Sequence, residues 1–186
     1  MLAIRPLTPA RWHDLETLFG ERGACGGCWC MFWRLPRTVF ERQKGNGNRQ
    51  ALRKLVQKGD PPGLIAYDGR APVGWCAVAP RAQYPALARS RILQPVDGGP
   101  VWAVSCLFVA RPYRRRGVSK RLLEAAADYV GRRGGRIVDG YPVEPEEKKV
   151  ADAFVWTGLA SAFRQAGFHE VARGSKTRPI MRRDLR

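Results

Sequence analysis

The sequence predicts an α/β (α+β) fold in which a mixed, mostly antiparallel central sheet is flanked by helices. Three observations predict it. Strand-like and helix-like apolar patterns are interleaved along the chain. Hairpin signals stand at residues 64–79 and again near the C-terminus. Val101 to Val109 is a nearly continuous apolar run, as expected of a strand buried on both faces. The 186 residues suit one compact unit with a substantial core, and neither a repeat nor a break in composition marks a boundary, so residues 1–186 are expected to form a single domain.

Each element has its own signal. Residues 2 to 7 form a short first strand. Thr8 can cap a helix whose first residue is Pro9; Trp12, Leu15, Leu18 and Phe19 share one face, and Gly20 can end it. Residues 38 to 58 predict one or two helices broken at Gly45-Asn46-Gly47. Asn48 caps the second, Leu52, Leu55 and Val56 form its inner face, and Gly59 stops it. Asp60-Pro61-Pro62-Gly63 is a turn. Leu64–Tyr67 and Val73–Ala79 pair as a hairpin bent at Asp68-Gly69-Arg70. Residues 80 to 99 are irregular, with room for a short helix.

After the strand 101–109 and a turn at 110–117, Val118, Leu122, Leu123, Ala126 and Val130 recur at helical spacing, with Gly131 as the stop. A strand at Arg136–Tyr141 leads into a charged loop at 142–149. A helix around Thr157–Ala166 ends at Gly167, Phe168 packs back on it, and strands near 169–173 and 178–183 close the chain.

Composition sets limits. Hydrophobic residues make up 45% of the chain, yet no apolar run has the length of a membrane-spanning helix. The first twenty residues lack a basic segment followed by a long apolar stretch, so no secretory signal is expected and the cytoplasm is the expected compartment. Five cysteines fit reduced thiols; Cys76 and Cys106, inside apolar runs, read as small buried residues. The 33 basic against 16 acidic residues leave a net charge of +17, which attracts polyanions or else reflects compositional bias toward arginine.

The chemistry concentrates in the segment from Val104 to Ser119. Arg114-Arg115-Arg116-Gly117-Val118-Ser119 follows a buried strand and opens a helix. Free backbone N–H groups and the positive end of the helix dipole would converge there on one point. A diphosphate fits such a point: Gly117 permits close approach and the arginines supply charge.

This segment resembles the signature of the GNAT superfamily of acyl-CoA-dependent N-acyltransferases, Q/R-x-x-G-x-G/A after an L-x-V strand. Here the strand is Leu107-Phe108-Val109, and Ser119 replaces the usual small residue. Phe163-Arg164-Gln165-Ala166-Gly167-Phe168 resembles the family's aromatic-x-x-x-G-F before its last hairpin. The resemblance implies a GNAT-like domain with acetyl-CoA as acyl donor, lying in a split beside the strand 101–109. Leu107, Phe108 and Val109 would pair with the pantetheine arm, and the backbone of Arg114, Arg115, Arg116, Gly117, Val118, Ser119 and Lys120 would hold the pyrophosphate. A main-chain N–H near Phe108 would polarise the thioester carbonyl. Phe163 would stand at the cofactor, where many relatives carry a tyrosine that protonates the departing thiolate; phenylalanine has no proton to give.

Other groups must then be considered for proton transfer. Tyr141 is the preferred acid, ahead of Ser161 and Cys106. Glu144, or else Asp139, is the candidate base, directly or through water. Each has a plain alternative: Tyr141 as packing beside Pro142, the acids as solvated surface groups.

Cys25-Gly26-Gly27-Cys28-Trp29-Cys30-Met31-Phe32-Trp33 places three thiols together, which suggests zinc or redox chemistry. A structural zinc usually takes four protein ligands, and only folding could bring His13 or His169 to it, so no metal is expected. The preferred reading is a packed loop beside the acceptor pocket. Trp29, Phe32 and Trp33 would contact the acceptor, with Arg34 and Arg37 to orient an acidic group; ordinary core packing is the alternative.

The expected function is N-acetylation of a primary amine on a small molecule or peptide. Its partners would be acetyl-CoA and the amine, with no membrane, and a homodimer remains open. The alternatives are a CoA-binding sensor without activity and a basic nucleic-acid-binding module, for which no recognisable binding motif is present.

Overall fold

A computed structural model of the chain describes residues 2–146 and 155–185. Seven strands form one sheet in the order β1-β2-β3-β4-β5-β7-β6. They are β1 (Leu2–Pro6), β2 (Gly63–Asp68), β3 (Ala71–Pro80), β4 (Trp102–Val109), β5 (Ile137–Gly140), β6 (His169–Ser175) and β7 (Arg178–Asp184). All neighbouring pairs run antiparallel except β4 and β5. The helices are α1 (Trp12–Phe19), α2 (Arg37–Arg42), α3 (Asn46–Gln57), a short α4 (Pro85–Ala88), α5 (Val118–Arg132) and α6 (Ala160–Gln165).

The middle of the sheet is covered on both faces, which accounts for its unbroken apolar runs. On one face Leu64, Ala66, Val73, Cys76, Val78, Val104 and Leu107 pack with Leu122, Leu123, Ala126 and Val130 of α5. On the other, Ile65, Tyr67, Trp75, Ala77 and Cys106 pack with Leu15 and Phe19 of α1 and Leu52 and Val56 of α3. Alternate side chains of one strand therefore enter different cores. β4 is half-buried at its first residue, Trp102, and again at its far end, at Phe108 and Val109.

Local readings needed correction where tertiary contacts override spacing. α3 begins at Asn46, so Asn48 lies inside its first turn. Its side chain is fully buried, and Nδ2 donates to the carbonyls of Gly27 (3.2 Å) and Phe40 (3.4 Å), tying the Cys25–Trp33 loop to α2 instead of capping α3. α5 passes through Gly131 to Arg132, and Gly134, at φ 77°, makes the reversal. Helix α6 spans only residues 160–165, because the preceding turn is drawn to the loop after β5. Val143 N–H donates to Gly158 O, and Ala160 N–H to Val143 O, each at 2.9 Å. The end of the expected charged loop, 147–149, lies outside the described residues.

Candidate active site

The split sits between β4 and β5. The two strands pair only from Trp102↔Val138 to Val104↔Gly140, where β5 ends while β4 continues five residues to Val109. Along that stretch β4 stays bonded to β3: Ala110 N–H donates to Val73 O at 2.9 Å, and Trp75 faces Phe108 in the same phase. Alternation then turns the N–H groups of Leu107 and Val109 toward the split. Phe108 N–H points to β3, so the amide available to a carbonyl in the split is not that of Phe108. Leu107 N–H is already engaged with Trp156 O at 2.7 Å.

At the end of β4 the chain makes an anion-binding turn. Arg115 at φ 60° and Gly117 at φ 75° are both left-handed, and successive backbone N–H groups in such a sequence line a concavity. Arg121 N–H is the first in α5 to reach back to the helix start, bonding Gly117 O at 3.1 Å, which leaves the amides of Val118, Ser119 and Lys120 aimed outward. A Cβ added at Gly117 would meet nothing within 4 Å, so glycine is needed there for its φ and for open approach, not to avoid a neighbour. Arg114 Nε caps Val109 O at 3.1 Å and braces the turn against the strand.

Split and turn open into one cleft of about 920 Å³. Leu107, Phe108, Val109, Leu159 and Ala162 give it apolar walls. Arg114, Arg115, Gly117, Val118, Ser119 and Lys120 line the charged end, and Ala24, Cys25 and Trp156 also border it. This pairs an apolar channel with a turn rich in outward amides and positive charge.

A model of the GNAT acetyltransferase family matches residues 29–153, more than half of the chain. The chain belongs to this family. No curated protein matches its sequence. Solved structures share its fold at low identity. A PaiA N-acetyltransferase from Thermoplasma acidophilum, in complex with coenzyme A, is 12% identical with a TM-score of 0.56, covering 100% of this chain and 99% of that one. A polyamine N-acetyltransferase from Drosophila melanogaster, which forms N-acetylagmatine, is 11% identical with a TM-score of 0.60 and full coverage of both chains. Arabidopsis thaliana NAA60, in complex with acetyl-CoA, is 16% identical with a TM-score of 0.52, again covering both chains fully.

Within this GNAT fold the residues singled out from the sequence separate. Leu107, Phe108, Val109, Arg114, Arg115, Gly117, Val118, Ser119 and Lys120 come together along the cleft. Arg116 is outside the lining, its guanidinium 5.7 Å from the centre of the Tyr113 ring. Phe163 is also outside: fully buried, it packs edge-on against Phe168 and fills the space left by the missing side chains of Gly140 and Gly158. It holds the end of β5 in place from behind and does not meet the cleft.

Tyr141 is 1% exposed, in a separate cluster with Tyr84, Leu87, Leu93 and Ile180. Arg81 donates to its hydroxyl, and burial pushes its pKa up to about 12 although Arg81 pulls the other way. Glu144 is clamped by Arg173 (2.6 Å) and Arg164, which hold its carboxyl below the usual range and make it a weak base. Asp139 is buried in a two-pronged bond with Arg182, at 2.7 and 3.0 Å. Of the groups considered as acid, Ser161 lines the cleft, whereas Tyr141 and Cys106 do not.

The aromatic loop is divided as well. Trp29 is core, packed between Trp12 and Phe19. Phe32 and Trp33 are half-buried and surround Trp156, with ring centres 5.3 and 5.9 Å away. Arg34 is spent on Gln83 and Tyr84, at 3.1 and 3.2 Å. His13 and His169 lie on the surface against Glu16 and Asp184, and the described residues hold no cluster of three or more side chains placed to bind a metal. Trp156, Leu159 and Ala162 are among the cleft residues that sequence reasoning missed, and Trp156 matters most because its carbonyl takes the Leu107 N–H. It lies far from the motif in sequence, and no local pattern marks it.

Proposed function

We propose that the chain transfers the acetyl group of acetyl-CoA directly to a primary amine of a small molecule or peptide. The observation that carries this reading is the joining of a strand end that has parted from β5, Leu107 to Val109, to the amide cradle at Arg115–Lys120. The cradle would hold the pyrophosphate, with the backbone N–H groups of Val118, Ser119 and Lys120 and the charge of Arg115 neutralising it. The channel walls Leu107, Val109, Leu159 and Ala162 fit the pantetheine arm, whose amides can pair with the β4 edge. The same edge aims Val109 N–H into the split, where a carbonyl oxygen gaining negative charge would be stabilised. Structural relatives crystallised with CoA and acetyl-CoA, and relatives acting on polyamines and agmatine, support the donor and the amine class.

The acceptor would enter over Ala24, Cys25 and Trp156, with Phe32 and Trp33 supporting the indole from behind. A thiolate is a good leaving group, so proton donation to it adds little, and Ser161, which lines the cleft, is the hydroxyl that would serve that role. A CoA-binding sensor without activity is the second reading, favoured by one observation: Tyr141 and Glu144 are both engaged away from the cleft.

Calorimetry with acetyl-CoA and CoA-release assays over an amine panel test the proposal. Gly117→Glu, which puts a negative charge into the cradle, should abolish acetyl-CoA binding; unchanged affinity would refute the donor site. Binding without turnover on any amine would favour the sensor.

A further inference from the structure

Four of the five cysteines mark a path from solvent to the centre of the sheet. Cys25 is exposed at the cleft border, Cys28 is half-buried, and Cys30 and Cys106 are buried. Cys30 N–H donates to Cys28 Sγ at 3.3 Å, and Cys30 Sγ stands 3.2 Å from Cys106 Sγ. Trp75 Nε1 donates to Cys30 Sγ at 3.1 Å and fixes that sulfur in position. The backbone is bent to achieve this: Trp29 at φ 44° and Cys30 at φ 55° are consecutive left-handed residues, a conformation disfavoured for any residue with a side chain. The contact thus joins a strained loop to β4 directly before Leu107.

We propose that Cys30 and Cys106 are a redox-active pair that closes to a disulfide under peroxide, with Cys28 relaying the oxidation inward. Peroxide converts the Cys28 thiol to a sulfenic acid and leaves as water. Cys30 sulfur attacks Cys28 sulfur, the sulfenic oxygen departs as a second water, and a Cys28–Cys30 bond forms. Cys106 then attacks Cys30 sulfur, and Cys28 is released as a thiol. In sum, two thiols and one peroxide become one disulfide and two waters. The hydrogen bond with Cys30, then burial, push the Cys28 thiol far above its ordinary pKa. The contact with Cys106, together with burial, does the same to Cys30, so few thiolates form and closure is slow at low peroxide.

The bond would close a loop between residues 76 apart in sequence and fasten the cleft-border segment to β4. Peroxide treatment of the full-length protein, followed by alkylation and non-reducing peptide mapping, tests it. Linked peptides holding Cys30 and Cys106 are expected, together with a rise in Tm of several degrees that dithiothreitol reverses. Cys106→Ser and Cys30→Ser should each lose both effects, and Cys28→Ser should slow formation of the bond at least tenfold. Free Cys30 and Cys106 after Cys25 is fully oxidised would overturn the proposal, as would a Cys25–Cys28 bond as sole product. Both results are read on the wild-type chain, so they do not depend on the variants folding.

Discussion

Tyr141 and Ser161 illustrate how residue type and residue position compete. A tyrosine at the end of β5 has the chemistry of an acid, but its hydroxyl is held by Arg81 in a cluster behind the cleft. Tyr141→Phe is therefore expected to leave kcat unchanged in a CoA-release assay while lowering stability by about 1–3 kcal/mol, the cost of leaving Arg81 Nη1 unmatched while Nη2 keeps the Leu93 carbonyl. Ser161→Ala is expected to reduce kcat by about tenfold at saturating substrates, less than the roughly 10²–10⁴-fold usual for proton transfer because the leaving group is good. A steep loss in Tyr141→Phe with wild-type Tm would reverse this assignment. Glu144 gives the same lesson: its charge is spent on Arg164 and Arg173, whose positions no local spacing could disclose.

At the scale of elements, legibility followed periodicity. Strands β2, β3 and β4 could be read because they are buried in nearly every residue, and helix α5 because its burial repeats every 3.6. The shape of the turn at Arg114–Ser119 could be read because it is set locally, by a glycine at φ 75° and a following helix. Asn48 and residues 157–159 could not, since their conformations are set by carbonyls and amides distant in sequence. Trp156 escaped for the same reason. α5 seats the cradle by pressing Val118, Leu122 and Leu123 onto β2, β3 and β4, and Leu122 is fully buried. Leu122→Ala should cost about 2–5 kcal/mol in denaturant unfolding, with an unchanged m-value. A loss under 1 kcal/mol would mean that the helix is not anchored through this face.

For the whole molecule, the excess of positive charge governs how it responds to acid. Burial pulls the Glu16 pKa upward, but Arg49 and Trp12 outweigh it; Arg182 lowers Asp97, and Arg173 lowers Glu144 and Glu170. Each folded pKa thus lies below the ordinary 4.5 for glutamate or 3.8 for aspartate. Groups lowered in this way contribute fully above their unfolded values and stop contributing as pH falls through the folded ones. Tm is therefore expected to hold from pH 7 to about 5 and to fall steeply below about 4. Since these carboxylates are largely exposed, 1 M salt should blunt the fall. A Tm that stays level to pH 3 would show that the pairs contribute nothing.

The split between β4 and β5 also bears on how the sheet avoids sticking to other proteins. A strand end with unpaired amides is normally a hazard at the rim of a sheet, where a foreign strand can add to it. Here the exposed rungs lie in the interior of the seven-strand order, between neighbours of the same sheet, and the carbonyl of Trp156 occupies one of them. A foreign strand adding at the rim, beside β1 or β6, does not reach these rungs. Seclusion thus serves as the gatekeeper: the molecule keeps a sticky edge for its ligand without offering it to its neighbours.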